Sequence, residues 1–273
     1  MEFDLSSIEM SKSDIKRGVR IPKQLDENLA EFLGVMVGDG HLGYNPDKKR
    51  RFIRREINIS GNKTEKEHLD HIQYLFEELF GARFKYLENS LSKEATLRYQ
   101  SKGILEFLNK ICSIPSRKKT DIVGIPEIIK ESGLITKCKF LRGLADTDYS
   151  FCFKNRTNKG HNYPVIRGCF RSKILINDLE QIYREIGFVY CVLYNESKTD
   201  KRFGPILMHN IYLNGKKNFE KWVNLIGSSH QKNLDKTEKW QKDGVCPPGY
   251  KKASEGSCTP GLQMTCKATS LAH

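Results

Sequence analysis

Two stretches of this chain, DENLAEFLGVMVGDG over 26–40 and TKCKFLRGLADTDY over 136–149, break the rules of helix chemistry at matching places. Each runs apolar at helical spacing, yet the first carries Gly34 and Gly38 and the second Gly143. An interior glycine costs a helix about 1 kcal/mol. Each run then ends on a carboxylate, Asp39 or Asp148, where negative charge opposes the helix dipole. One arrangement offsets both penalties. Gly34 and Gly38 stand four apart, as do Gly143 and Thr147, and Ala30 extends the first small-residue face by a turn. Such faces let two helices approach more closely than side chains usually permit. Packed on them, the helices bring their terminal carboxylates together. Leucine at position 34 would then force the helices apart, with alanine milder because one methyl adds little bulk.

The elements after each helix repeat as well. After Asp39 come the alternating strand RRFIRREINIS, a helix with Leu69, Ile72, Leu75, Phe76 and Leu79 on one face, the strands ARFKYLEN and ATLRYQS, and the helix KGILEFLNKIC. After Asp148 come SFCFKNR and YPVIRGCFRS, the helix SKILINDLEQIYREIG, the strands FVYCVLYNE and ILMHNIYLNG, and the helix KKNFEKWVNLIG. The chain therefore reads as α+β: two pseudo-two-fold αββαββα repeats, with the small-faced helices packed at the centre. The expected boundaries are a first repeat over 1–119, a linker over 120–135 containing Pro126, a second repeat over 136–250, and an aperiodic Gly/Ser/Thr/Pro-rich tail over 251–273.

Two carboxylates that close repel one another unless a proton or a cation lies between them. A hard divalent cation, Mg2+ first, takes carboxylate, carbonyl and water oxygens. Asp39 and Asp148 would supply the carboxylates, and the helix-end carbonyls, at Gly38 and Thr147, further ligands. The alternative is ordinary turn chemistry, which GDG and DTD also suit. Two such motifs, each on a small-faced helix and each before the same strand order, favour the metal.

Composition narrows the partners. In 273 residues, lysine plus arginine number 46 against 33 acids, a net charge of +13 that suits a polyanion. No apolar run approaches the roughly 20 residues that span a bilayer, and MEFDLSSIEMSKSD lacks the apolar core of a signal peptide, so a cytosolic chain without membrane contact is expected. Eight cysteines (112, 138, 152, 169, 191, 246, 258 and 266) stand singly with no CxxC pair, which argues for buried reduced thiols rather than a zinc site.

Strand alternation sorts the polar residues. Ile53, Ile57, Ile59, Leu97, Tyr99, Phe151 and Phe153 would face the helices. Arg54, Glu56, Asn58, Ser60, Thr96, Arg98 and Gln100 would face outward in the first repeat, with Ser150, Lys154, Arg156, Arg167 and Arg171 in the second. Arg, Asn, Gln and Ser are the side chains that read base edges, and lysine-rich turns such as 48–51 and 198–202 suit phosphates. Any solvated sheet carries polar side chains, but the net charge and residue types favour DNA.

FLGVMVGDG and LRGLADTDY resemble the two signature helices of single-chain LAGLIDADG homing endonucleases, over nearly the whole chain to about Tyr250. The ISGN turn, IPSRKKTDIVGIP and EKWQKDGVCPPG carry the likeness further, towards archaeal members. The resemblance implies a monomeric, intron-encoded, metal-dependent nuclease whose sheets form a DNA-binding saddle. It would cut one phosphodiester on each strand of a long site and leave short 3′ overhangs. Mg2+ would be the cofactor, with Mn2+ or Ca2+ able to substitute in binding. By motif position, Asp39 and Asp148 are the metal-binding acids. The ninth position, usually glycine, is Gly40 in one copy and Tyr149 in the other; the sixth, in the helix-packing turn, is Val37 and Asp146. Basic residues late in each repeat match SRKKT and SSHQKNLDK, making Lys118 or Lys119 and Lys232 the catalytic candidates, or else a basic loop touching the DNA backbone. An intron-RNA splicing maturase of the same fold and an inactive DNA-binding regulator are the rival readings. An intein is not expected, since the chain begins at Met1 without a nucleophile and ends in LAH rather than His-Asn. The cellular setting would be the cytoplasm, or an organellar matrix for an organelle-encoded chain.

Overall fold

The computed structural model describes residues 2–47, 52–116, 119–156, 160–200 and 204–250. An N-terminal arm lies along the first repeat. Phe3 N donates to the Lys23 carbonyl, and the Phe3 ring meets Phe107 edge-on at 5.7 Å. The arm's short helix α1 (Lys12–Lys16) is fixed by buried Asp14, which accepts from the backbone amides of Lys102 and Gly103.

The first repeat runs α2 (Glu27–Val37), β1 (Gly40–Asp47), β2 (Phe52–Asn62), α3 (Lys66–Phe80), β3 (Lys85–Glu88), β4 (Glu94–Gln100) and α4 (Lys102–Glu106), which continues as a π-helical turn over Phe107–Ile111. Two short helices come next, α5 (Lys119–Ile122) and α6 (Glu127–Lys130). The second repeat runs α7 (Leu134–Asp148), β5 (Tyr149–Lys154), β6 (Tyr163–Phe170), α8 (Lys173–Ile186), β7 (Tyr190–Asp200), β8 (Gly204–Asn214) and α9 (Lys216–Leu225), then α10 (Gln231–Asp243). Each repeat builds one antiparallel four-stranded sheet, ordered β1-β2-β4-β3 and β5-β6-β8-β7. The α+β reading with two like halves holds. None of the helices among the described residues is long and apolar enough to cross a membrane.

Local chemistry sets the element ends. Asp26 caps α2, its carboxylate accepting from Leu29 N at 2.8 Å. Ser101 and Ser172 cap α4 and α8 in the same way. Both α3 and α8 stop at a glycine in the left-handed region, Gly81 and Gly187, so the repeat extends to its punctuation.

At the centre, α2 and α7 touch backbone to backbone. A Cβ placed on Gly34 would lie 2.1 Å from the Phe140 carbonyl oxygen, and one on Gly143 would lie 2.0 Å from that of Glu31. Alanine at position 34 is expected to be milder than leucine because one methyl adds little bulk; that reason is corrected, since even a methyl group has no room. Around this crossing the core is aromatic. Phe32 packs on Phe76 and Phe80 behind the first sheet, and Phe151 and Phe153 pack on Phe219 behind the second.

Three further expectations need correction. The SSHQKNLDK stretch is not a loop late in the repeat. From Gln231 it is α10, capped by His230 and anchored by Trp240, whose Nε1 donates to the Asn162 carbonyl. Ile53 is 48% exposed, because at the outer end of β2 it borders an open cleft between the N-terminal arm and the β4–α4 junction. Cys112, Cys138 and Cys246 are buried, but Cys152 and Cys191 are exposed, since alternation turns them onto the open face of the second sheet.

Candidate active site

The α2–α7 crossing fixes where the two terminal carboxylates sit. Beyond Gly38, the Asp39 carbonyl accepts from Ser60 N, tying this residue to the start of the first sheet. Asp148 is the last residue of α7 and leads directly into β5. The two meet across the helix ends: a Cβ on Gly38 would lie 2.4 Å from Asp148 Oδ2. Burial, and then the charge of Asp148, push the Asp39 carboxyl up to about 7. Burial pushes Asp148 up to about 6, opposed by Lys119 and by the Thr147 hydroxyl, which donates to Asp148 Oδ2 at 3.2 Å. Burial is thus the first cause for both carboxyls, and the charge of Asp148 adds to it at Asp39.

Among the described residues, one lysine enters this centre. Lys119 opens α5, and its Nζ donates to the carbonyls of Met36 (3.1 Å), Gly38 and Gly40. Burial holds its ammonium down to about 8, although Asp148 and Asp39 both favour the charge. Beside it opens a cavity of about 360 Å3, lined among others by Gly38, Lys119, Asp148, Cys169 and Met208. Lys118 lies outside the described residues. Lys232 is not brought to the pair: in the first turn of α10, its ammonium is 3.6 Å from Glu65 Oε1.

Asp146, the sixth motif position of the second copy, has a different task. Its carboxylate accepts from Ser229 N at 2.6 Å and Ser229 Oγ at 2.7 Å, and Ser229 Oγ also lies 3.2 Å from Glu31 Oε1. Glu31 pairs in turn with His71 at 2.8 Å. This buried chain ties the α9–α10 connection to α2 and α3. Nothing local in the sequence marks it, because its members lie far apart along the chain.

The open faces carry the residues that alternation assigns to them. On the first sheet, Arg98 Nε donates to Asn58 Oδ1 at 3.0 Å. Glu56 is only 6% exposed, because Asn45 and Gln100 both donate to its carboxylate. Arg54 is exposed at the same face. On the second sheet, Arg167 donates to Asn210, Arg156 lies 3.9 Å over the Tyr163 ring, and Lys154 is exposed. Arg171 pairs with Asp121 at 2.8 Å. Asn45, Glu196 and Asn210 are face residues that sequence reasoning missed. The 48–51 turn, residues 201 and 202 of the 198–202 turn, and the 251–273 tail lie outside the described residues.

No family model matches the chain. Among curated proteins it is 26% identical over 219 residues to the tRNA-splicing ligase RtcB of Methanopyrus kandleri, covering 73% of this chain and 20% of that protein. It is 33% identical over 125 residues to an A-type ATP synthase subunit of Pyrococcus abyssi, covering 42% of this chain and 11% of that protein. The chain thus spans a fifth or less of the curated relatives it matches. Solved structures match it along most of their length. The homing endonuclease I-DmoI in complex with DNA and Mn has a TM-score of 0.52 at 19% identity, over 75% of this chain and 98% of that one. I-DmoI with DNA and Ca gives 0.51 at 18%, over 73% and 88%. A mutant of I-SmaMI gives 0.50 at 13%, over 81% and 90%. Two like halves, a central helix pair and a carboxylate at each helix end make this the fold of the two-repeat LAGLIDADG homing endonucleases.

Proposed function

We propose that this chain is a site-specific endonuclease that recognises a long double-stranded DNA site, hydrolyses one phosphodiester on each strand and leaves short 3′ overhangs. The observation that carries the reading is the position of Lys119, its ammonium seated on three carbonyls beside two half-buried carboxylates, at the head of both sheets. An excess of 13 positive charges, with arginines on both open faces, suits the phosphate backbone. The two curated relatives, a ligase and part of an ATP synthase, differ wholly in activity by name. Likeness to one short segment of each fits a module that moves between hosts.

A divalent cation fits the donor set. Burial raises both carboxyls, and the charge of Asp148 raises Asp39 further, so a cation between them would relieve an electrostatic cost. Among the described residues no group of three or more His, Cys, Asp or Glu side chains could hold a metal. Two carboxylates with backbone carbonyls, water and phosphate oxygens instead suit Mg2+, and the I-DmoI structures contain Mn and Ca. Asp39 and Asp148 would hold the ion, with the carbonyls of Gly38 and Thr147 within the same turn ends. Bound there, it would supply Lewis-acid polarisation of the scissile phosphate. Lys119, mostly protonated at neutral pH, would stabilise charge developing on the phosphate or perturb the attacking water. The open faces would hold the duplex so that one strand lies at each carboxylate.

Cleavage selection from a randomised duplex library in Mg2+ tests the reading. One enriched site cut on both strands is expected; no cut product in Mg2+ or Mn2+ would overturn it.

A further inference from the structure

On the open face of the second sheet, where side chains should meet solvent, Asn210 is 0% exposed. Its Oδ1 accepts from Arg167 Nε at 2.9 Å and from Arg167 Nη2 at 2.6 Å. Its Nδ2 donates to the carboxylate of Glu196. This chain of three can point only one way. A guanidinium has no acceptor and a carboxylate no donor, so the amide must turn its oxygen to Arg167 and its nitrogen to Glu196. Arg167 is thereby locked in one orientation, with Nη1 and the second N–H of Nη2 left for another partner.

The backbone is distorted to place Glu196 there. In β7, Leu193 pairs with Asn210 but Glu196 pairs with Met208, so three steps along one strand match two along the other. The extra residue is a bulge, with Asn195 at φ 57°, uncommon outside glycine. Without it, alternation would turn Glu196 towards the helices. The bulge is pinned on both sides: Tyr194 OH donates to Glu180 on α8 and lies 3.0 Å from Asn177 Oδ1, and Asn195 N donates to His209 Nδ1 at 3.1 Å. On the first sheet the described contacts differ. Arg98 there makes one bond to Asn58, while Glu56, the carboxylate on that face, is occupied by Asn45 and Gln100.

Position and charge indicate what the free edge of Arg167 meets. Arg167 pairs with Ser150, two residues beyond Asp148, at the inner end of the sheet. A phosphate clamp gains from bare positive charge, and the Glu196 carboxylate one residue away would oppose it. An oriented, charge-compensated guanidinium instead suits the two neutral acceptors O6 and N7 of guanine. We propose, resting on the DNA reading above, that Arg167 reads one guanine in the inner part of the half-site under the second sheet. Asn210 and Glu196 act as positioning residues for that readout.

The test is a selection of bound duplexes from a randomised library in Ca2+, run on the wild type, Arg167→Lys, Asn210→Ala and Glu196→Gln, each with a melting curve. The expected wild-type profile contains one inner position where guanine is strongly preferred. Arg167→Lys should lower that preference by roughly ten- to a hundredfold, the discrimination of one bidentate contact. Asn210→Ala and Glu196→Gln should lower it at the same position while leaving preferences elsewhere unchanged. Should Asn210→Ala fail to fold, the nearly isosteric Glu196→Gln carries the test. An unchanged profile in Arg167→Lys, or a uniform loss at every position in Glu196→Gln, would overturn the proposal while leaving the nuclease reading intact. No enriched site for the wild type would overturn both.

Discussion

The two repeats share an order of elements and differ in what surrounds their carboxylates. In the first, Gly40 follows Asp39, and its carbonyl joins those of Met36 and Gly38 in seating Lys119. In the second, Tyr149 follows Asp148, packed against the core with its hydroxyl 2.7 Å from that of Tyr183. The corresponding basic stretch there has become a helix whose Lys232 pairs with Glu65. Among the described residues, the two halves thus bring two carboxylates but one lysine to the centre. A chain that meets two antiparallel strands with one such centre need not treat them alike.

The largest effect should come from removing the feature the halves share. Asp39→Asn or Asp148→Asn should lower double-strand cleavage by roughly a thousandfold or more, as loss of several kcal/mol of transition-state stabilisation implies. Binding, measured by gel shift on the same DNA, should persist. Cleavage at the wild-type rate by either variant would remove the case for paired ligands. A smaller effect tests the feature they do not share: Lys119→Met should slow cleavage by roughly a hundred- to a thousandfold, the range for one preorganised donor. Lys232→Met should stay near wild type in a parallel time course. Equal losses would mean that the second repeat keeps a working lysine after all.

Third comes the contact between halves. Because a Cβ on Gly34 would lie 2.1 Å from a carbonyl oxygen, Gly34→Ala as well as Gly34→Leu should be destabilised, by about 1–3 kcal/mol or more in urea titrations. The smallest effect concerns pH in chelator-treated protein. Burial and then repulsion by Asp148 raise the Asp39 carboxyl to about 7, and burial raises Asp148 to about 6. A carboxyl raised on folding stabilises fully below its unfolded value, and that stability is lost as pH climbs through the folded one. Their contribution should therefore fall between about pH 4 and pH 7. His68, which burial and then the neighbouring His230 hold down to about 4, titrates in the opposite sense, so wild type must be compared with Asp39→Asn. The melting advantage of Asp39→Asn should grow across that window, by about 2–4 °C for each kcal/mol relieved, and shrink on adding Mg2+. A constant difference would show that the carboxyls titrate normally.

Much of this was legible because it is local. Spacing of Gly34, Gly38, Gly143 and Thr147 needs only helical geometry, and the glycines ending α3 and α8 mark their own positions. The features that escaped depend on register or on distance along the chain. Alternation counted from the start of β7 puts Glu196 on the wrong face, because one added residue at Asn195 reverses it. Glu56 reads as exposed until Asn45 and Gln100, from neighbouring strands, close over it. Lys118 and Lys119 are chemically the same in the sequence; only the fold delivers Lys119 to the end of α2.

The contact at Gly34 and Gly143 also bears on how such a chain diverges. The gap between Asp39 and Asp148 is set by one main chain resting on another, with no side chain between them to exchange. Residues on the sheets can drift, one substitution at a time, to follow a changing target. On the proposed reading, the offset between the two cuts would have no such intermediate steps, so lineages that alter what they recognise should inherit the stagger of their ends unchanged.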